Sequence, residues 1–234
     1  MQKKVVILAG GKGKRLHPYT ISTPKPMIPI EDLPILEILI LKLKKHNFKS
    51  IIISVNFQAN IIVDYFQNGK KWGVDIEYIF ERKPLGTMGP LNLIKNLPEN
   101  FIVMNGDVIS DLNLDRFLKY HINNKNLFTI SAFNREEKID YGVLQVRNNK
   151  LDNFYEKPTK VYTVSMGIYA INRSLLKYIE KNKNFGFDNL MIKLLKNKIT
   201  IHCKIHKGYW LDIGRPSDYK TAINDIKFIK KSII

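Results

Sequence analysis

The apolar run Val5 to Ala9 ends abruptly at Gly10-Gly11, and this junction constrains the chain more than any other stretch. A run without polar alternation reads as a strand buried on both faces, which calls for helices on either side of a parallel sheet. The pattern then repeats. Leu36, Leu39, Ile40 and Leu43 follow helical spacing, and Ser50 to Val55 reads as the next buried strand. Ile61 to Phe66 reads as helix, Val74 to Phe80 as strand and Met88 to Leu97 as helix; Phe101 to Met104 is a short strand stopped by Asn105-Gly106-Asp107. Strand and helix alternating in this way predict βαβ units with right-handed crossovers, an α/β fold around a mostly parallel sheet.

Beyond about residue 125 the texture changes. Leu127 to Phe133, Gly142 to Val146, Leu151 to Tyr155 and Val161 to Ile171 are closely spaced strand candidates. Helices are predicted at Ser174 to Lys181 and Asp188 to Lys196, then a strand at Thr200 to Ile205 and a closing helix at Pro216 to Lys231 with Pro216 in its first turn. At 234 residues one core can still grow. The expectation is therefore one domain over 1–234, with halves 1–125 and 126–234 sharing a continuous sheet.

The formal net charge is +17, a field that draws polyanions. The lysines are scattered through nearly every segment rather than gathered into an arm or stripe, which argues against dedicated nucleic-acid binding. The single cysteine, Cys203, excludes an intramolecular disulfide and reads as a small buried apolar residue in its strand. From Met1-Gln2-Lys3-Lys4 the chain enters an apolar run too short for a leader peptide or a membrane span. Ile35 to Leu43 contains Glu37 and Lys42 and reads as a buried helix. These features together predict a soluble, cytoplasmic protein with no membrane partner.

The glycine segment runs Leu8-Ala9-Gly10-Gly11-Lys12-Gly13-Lys14-Arg15-Leu16-His17-Pro18, followed by Thr23-Pro24-Lys25-Pro26-Met27. Glycines after a strand let the backbone turn its N–H groups toward an anion, the makings of a phosphate cradle. Two familiar cradles fail here: Leu16 stands where a dinucleotide fingerprint needs glycine, and the P-loop ending is missing. Arg15 can fork onto two phosphate oxygens and Lys25 supplies a point charge, as a reaction at phosphorus requires. Pro18, Pro24, Pro26, Pro29 and Pro34 stiffen the segment, whereas Lys12 and Lys14 read equally well as solvated. Asp107 closes a strand at the sheet edge where open α/β folds bind ligands, and Asp212 ends another short apolar run; both are placed to hold a metal. Asp111 and Asp188 read as helix caps.

The glycine segment with its Pro-Lys-Pro-Met resembles the signature of the sugar-1-phosphate nucleotidylyltransferases, and further matches extend across almost the whole chain. The resemblance implies a Rossmann-like mixed sheet with a smaller, β-rich sugar-binding portion, a nucleoside triphosphate and a sugar 1-phosphate as small-molecule substrates, and Mg2+ as cofactor. It assigns Leu8, Ala9, Gly10, Gly11, Gly13 and Arg15 to the triphosphate in the first half, and Glu81, Gly86 and Thr87 to the base. It gives Arg15 and Lys25 the catalytic roles and makes Asp107 and Asp212 the metal ligands. Asn105, Tyr141, Gly142, Glu156, Lys157, Ser165 and Gly167 are matched to the sugar phosphate, mostly in the second half. Ser165 departs from the family, which commonly has asparagine there. The loop Pro84-Leu85-Gly86-Thr87-Met88-Gly89-Pro90-Leu91 is most similar to that of mannose-1-phosphate guanylyltransferases, which favours GTP, with UTP, dTTP or CTP as alternatives. Mannose, heptose or amino-sugar phosphates are all compatible acceptors. The sequence contains no hexapeptide repeats and reads as a bare catalytic domain, with self-association open. A catalytically silent relative that only binds nucleotide sugars is the rival reading.

Overall fold

The computed structural model describes residues 3–234. Met1 and Gln2, where the leader-peptide reading began, lie outside the described residues. The strands are β1 (Lys4–Leu8), β2 (Pro29–Ile30), β3 (Leu33–Pro34), β4 (Ser50–Val55), β5 (Asp75–Phe80), β6 (Asn100–Asn105), β7 (Val108–Ser110), β8 (Phe128–Lys138), β9 (Val143–Arg147), β10 (Lys150–Tyr155), β11 (Thr159–Asn172), β12 (His202–His206) and β13 (Trp210–Asp212). The helices are α1 (Ile35–Lys45), α2 (Ala59–Phe66), α3 (Leu114–Asn123), α4 (Phe187–Lys196), α5 (Pro216–Asn224) and the short α6 (Ile226–Phe228).

Seven strands form the central sheet in the order β12-β8-β11-β6-β1-β4-β5. The pairs β6-β1, β1-β4 and β4-β5 are parallel, as expected from the alternating first half. The strand β11 runs antiparallel to both β6 and β8, so the sheet is mixed and strands of both halves belong to it. Successive side chains of a strand face opposite sides. Val5, Ile7, Ile51 and Ile53 therefore pack with α1 on one face, while Val6, Ile52, Phe101 and Val103 pack with Leu190 and Leu194 of α4 on the other. A third apolar cluster joins Leu16, Ile28 and Ile35 to Ile213, Ala222 and Ile229. It fastens the C-terminal helices beneath the glycine segment.

Several expectations need correction. Met88 to Leu97 is not an α-helix; a 3-10 turn covers Gly89–Leu93, and the backbone turns extended at Ile94. Ser174 to Lys181 is likewise a 3-10 segment, Arg173–Tyr178. The closing helix begins at Pro216 as expected but breaks after Asn224 into α6 and a π-helical turn. Cys203 is exposed: β12 is an edge strand, and its alternation turns Cys203 and Ile205 outward. Asp111 does not cap α3, since Asn113 does so by accepting from Arg116 N. Asp188 lies within the first turn of α4, whose cap position is Gly186.

Candidate active site

The site starts where β1 ends. Gly106 N donates to Leu8 O at 2.9 Å and Ala9 N to Ser54 O at 2.8 Å, so the first turn after the strand is fixed by its neighbours on both sides. Gly13 adopts φ 62, and a Cβ there would stand 2.9 Å from Thr20 Cγ2. Only glycine fits that left-handed position without strain. Thr20 Oγ1 also donates to Gly13 O, and the fully buried Leu16 pins the far end of the loop into the third apolar cluster.

Lys25 follows on a 3-10 turn and is 8% exposed, with its Nζ paired to Asp107 Oδ2. Asp107 occupies the turn between β6 and β7, and its Oδ1 is buried with no hydrogen-bond partner. Backbone pairing brings Asp212 alongside: β13 lies antiparallel to β7 with Asp212 opposite Val108, and Ile213 N donates to Asp107 O at 3.1 Å. Burial raises the Asp212 carboxyl above its ordinary pKa and the Asp107 charge adds to the rise, while Lys25 and Arg15 oppose it. Arg15 reaches the same corner; a Cβ at Gly214 would lie 3.7 Å from its guanidinium Nη2.

Arg15, Lys25 and Asp107 line one trench, with Asp212 beside Asp107 but bordering neither of its cavities. A cavity of about 340 Å³ is bordered by Leu8, Ala9, Gly10, Gly11, Glu81, Gly86, Thr87 and Asn105. A second, of about 290 Å³, is bordered by Gly13, Lys14, Arg15 and Gly214. Gly11, Lys25 and Asp107 border both, so the two adjoin. Glu81 is held at the first cavity by Ser54 Oγ, which donates to its Oε1 at 2.8 Å, and by Leu85 N, which donates to its Oε2 at 3.1 Å.

The residues matched to the sugar phosphate are divided. Gly167 abuts Asn105: at φ 74, a Cβ on it would come within 2.7 Å of Asn105 Nδ2. Ser165 stands at an irregularity of β11, where its Oγ accepts from Gly167 N at 3.3 Å and donates to the Tyr169 hydroxyl at 3.2 Å. Burial pushes the Tyr169 hydroxyl up to about 12; the Ser165 bond opposes this, and the nearby Asp107 and Asp212 charges add to it. Tyr141, Gly142, Glu156 and Lys157 instead gather at the base of the β9-β10 hairpin and border neither cavity. A Cβ at Gly142 would stand 2.7 Å from Phe154 Cε2 and 3.3 Å from Glu156 Oε2. Tyr141 is 78% exposed, and Glu156 and Lys157 are exposed too. Lys12 stays exposed, while Lys14 borders the second cavity.

Sequence reasoning missed a polar network behind the trench. Lys42 of α1 is 1% exposed and donates from Nζ to Ser110 O and Oγ, and burial pushes its ammonium down to about 7 while the Asp111 charge opposes the shift. Asp111 Oδ1 accepts from Tyr209 N at 2.8 Å and lies 2.6 Å from His206 Nε2. Asn184 also borders the first cavity, arriving from a loop without any motif.

No helix among the described residues is long and apolar enough to cross a membrane. The model of the nucleotidyl transferase family matches residues 4–228. A Methanococcus maripaludis protein named bifunctional protein GlmU is 37% identical over 97% of this chain, and the chain spans 55% of that relative's length. Mannose-1-phosphate guanylyltransferase catalytic subunit beta of Drosophila melanogaster is 33% identical over 94% of this chain and 62% of its own length. The solved structure of HddC from Yersinia pseudotuberculosis complexed with GMP-PN superimposes with a TM-score of 0.73 at 27% identity, covering 96% of this chain and 99% of the other. With the glycine turn, the paired cation and carboxylates, and a family match over nearly its whole length, the chain belongs to the nucleotidyl transferase family, among the sugar-1-phosphate nucleotidylyltransferases.

Proposed function

We propose that the chain transfers a nucleotidyl group from a nucleoside triphosphate, GTP by preference, to a sugar 1-phosphate, giving a nucleoside-diphosphate sugar and pyrophosphate. One observation carries the reading: Arg15, Lys25, Asp107 and Asp212 converge beside the glycine turn at one rim of the sheet. In this reading the backbone from Leu8 to Gly13 cradles the triphosphate, and Glu81, Gly86 and Thr87 face the base. A sugar-phosphate oxygen attacks the α-phosphorus in line as the bond to pyrophosphate breaks. That oxygen is already ionised and needs no general base. Arg15 and Lys25 stabilise the charge that develops on the equatorial and departing oxygens.

The aspartates suit the Mg2+ that the sequence led us to expect. Asp107 Oδ1 is buried without a partner, and Asp212 is destabilised as an anion by burial and by Asp107, so a cation between them relieves both. No cluster of three or more metal-ligating side chains forms among the described residues, but Mg2+ takes one or two carboxylates with phosphate and water for the rest. Bound there, it would neutralise phosphate oxygens and orient the leaving group. Asn105 and Gly167, joined by Tyr141, Gly142, Glu156 and Lys157 from the hairpin, receive the sugar phosphate. The Ser165 hydroxyl is bonded within the protein and differs from the family's amide, which shifts which sugar is read. The solved relative in complex with GMP-PN and the Pro84–Leu91 loop support guanine.

The test is a matrix of four triphosphates against a panel of sugar 1-phosphates, with the joined product scored by mass spectrometry. GTP with a hexose or heptose 1-phosphate is expected to give product. Product from UTP or dTTP alone would move the base assignment. Nucleotide-sugar binding with no product in any pairing would favour the silent relative.

A further inference from the structure

We infer that Asn184 is a base-reading residue, accepting a hydrogen bond through its Oδ1 from the N–H edge of the nucleotide base. The inference rests on the reading of the larger cavity as the nucleotide site. Asn184 borders that cavity at the rim formed by Pro84, Gly86 and Thr87. Its Nδ2 donates to Pro84 O at 3.3 Å. A carbonyl oxygen only accepts, so the nitrogen of the amide must face Pro84, and the oxygen is left as the free group. That oxygen points along Gly86, within 3.0 Å of where a Cβ on Gly86 would stand. Phe185 C and O crowd that same position at 2.8 Å, so a base reaches this rim from the cavity side, where it meets an acceptor whose amide nitrogen is already tied to Pro84 O.

The position is held from behind. Phe185 N donates to Leu85 O at 2.8 Å, and Phe185 O accepts from Met88 N at 2.9 Å and Gly89 N at 3.1 Å. Three backbone bonds thus hold Phe185 to the base-facing loop, which fixes the backbone from which the exposed Asn184 side chain reaches the rim. Glu81, fixed by Ser54 and Leu85, supplies a second acceptor at the same cavity. Two acceptors suit guanine, which carries donors at N1 and N2. Uracil and thymine carry one, at N3.

The experiment compares wild type, Asn184→Ala and Asn184→Asp by calorimetric binding of the four triphosphates without sugar phosphate, and by steady-state kinetics with the triphosphate that binds most tightly. One net hydrogen bond is worth ~0.5–1.5 kcal/mol, about 2.3-fold to 12-fold in affinity. Asn184→Ala is expected to weaken binding and raise KM by that factor, with kcat and the KM for sugar phosphate unchanged. Asn184→Asp keeps an acceptor but cannot donate to Pro84 O, so retained binding identifies the acceptor as the working group. Equal losses in Ala and Asp would make the tie to Pro84 the whole role and overturn the inference, as would an Ala variant within twofold of wild type for every triphosphate. Wild type that binds a triphosphate but forms no product refutes the proposed reaction while leaving the Asn184 comparison intact. Wild type that binds none of the four overturns both.

Discussion

The trench and the β9-β10 hairpin would meet at one reaction, yet they are built on opposite plans. Beneath the trench the chain is buried: Lys25 is 8% exposed, the strands under it are closed off, and backbone bonds fix the turns at Leu8, Gly106 and Ile213, while Gly11 and Arg15 at its rim stay exposed. On the hairpin, Leu144, Val146, Leu151 and Phe154 are all more than half exposed, and the two strands pair only with each other. Preorganised charge in a shielded place is what phosphoryl chemistry needs, because fixed dipoles there cost no reorganisation as charge moves. An acceptor sugar is chosen among similar shapes, and an exposed ribbon can differ between relatives without disturbing the core. On the proposed reading, chemistry belongs to the trench and selection to the hairpin.

The largest effect should follow from emptying the trench of charge. Arg15→Ala and Asp107→Ala are each expected to lower kcat by about 10²–10³, the scale for removing one preorganised electrostatic group. Pyrophosphate release under saturating substrates measures it. A loss of only a few-fold in both variants would dissolve the distinction between the regions.

The next concerns the trench's backing. In the folded protein the Lys42 ammonium titrates at about 7, against 10.5 as its ordinary value, because it is buried. Below pH 7 both states hold the proton, and the folded state carries a poorly solvated charge. Between pH 7 and 10.5 the unfolded chain keeps a proton that the folded chain has released, so stability rises with pH by about 1.4 kcal/mol per unit. Denaturant unfolding at pH 7 and pH 9 is expected to show this rise in wild type and to show it reduced by that amount in Lys42→Met. The hairpin, exposed throughout, offers no counterpart.

A smaller effect is expected on the hairpin side. Lys157→Ala should raise the KM for sugar phosphate roughly tenfold, the scale of a charge-assisted contact, with little change in kcat. Since Lys157 is exposed, stability should stay within about 0.5 kcal/mol of wild type. A drop in kcat comparable to that of Asp107→Ala would place the hairpin in the chemistry.

The same contrast explains what the sequence could reveal. The strand ending at Leu8, the glycine turn and Asp107 in the turn after β6 are marked in the chain by unbroken apolar runs that stop at glycines, so pattern reading found them, although the bonds that fix them join Ala9 to Ser54, Gly106 to Leu8 and Ile213 to Asp107. Lys42 defeated it because its environment comes from Ser110 and Asp111, distant along the chain. Asn184 defeated it for the same reason: its partner Pro84 belongs to another segment, and no local motif marks the loop. The misread helix at Met88 to Leu97 is a different case: the apolar spacing is present, but the backbone closes only a 3-10 turn before it extends at Ile94. Cys203 shows that an apolar-looking run does not say which strand lies at a sheet edge.

The smallest effect separates folding from binding within the trench itself. Gly13 sits at φ 62 with Thr20 Cγ2 2.9 Å from a would-be Cβ, so Gly13→Ala is strained before any ligand arrives. Its expected cost is about 1–2 kcal/mol of stability, read as a lower denaturant midpoint. Gly11 differs: no atom lies within 4 Å of a Cβ placed there, so Gly11→Ala should leave the midpoint unchanged. Yet Gly11 borders both cavities, and the open space beside it is where a triphosphate would have to lie. Gly11→Ala is therefore expected to weaken triphosphate binding several-fold with the fold intact. If Gly11→Ala bound every triphosphate as wild type does, the open space over that glycine would not be where the phosphates travel, and the cradle would have to be sought nearer Gly13 and Arg15.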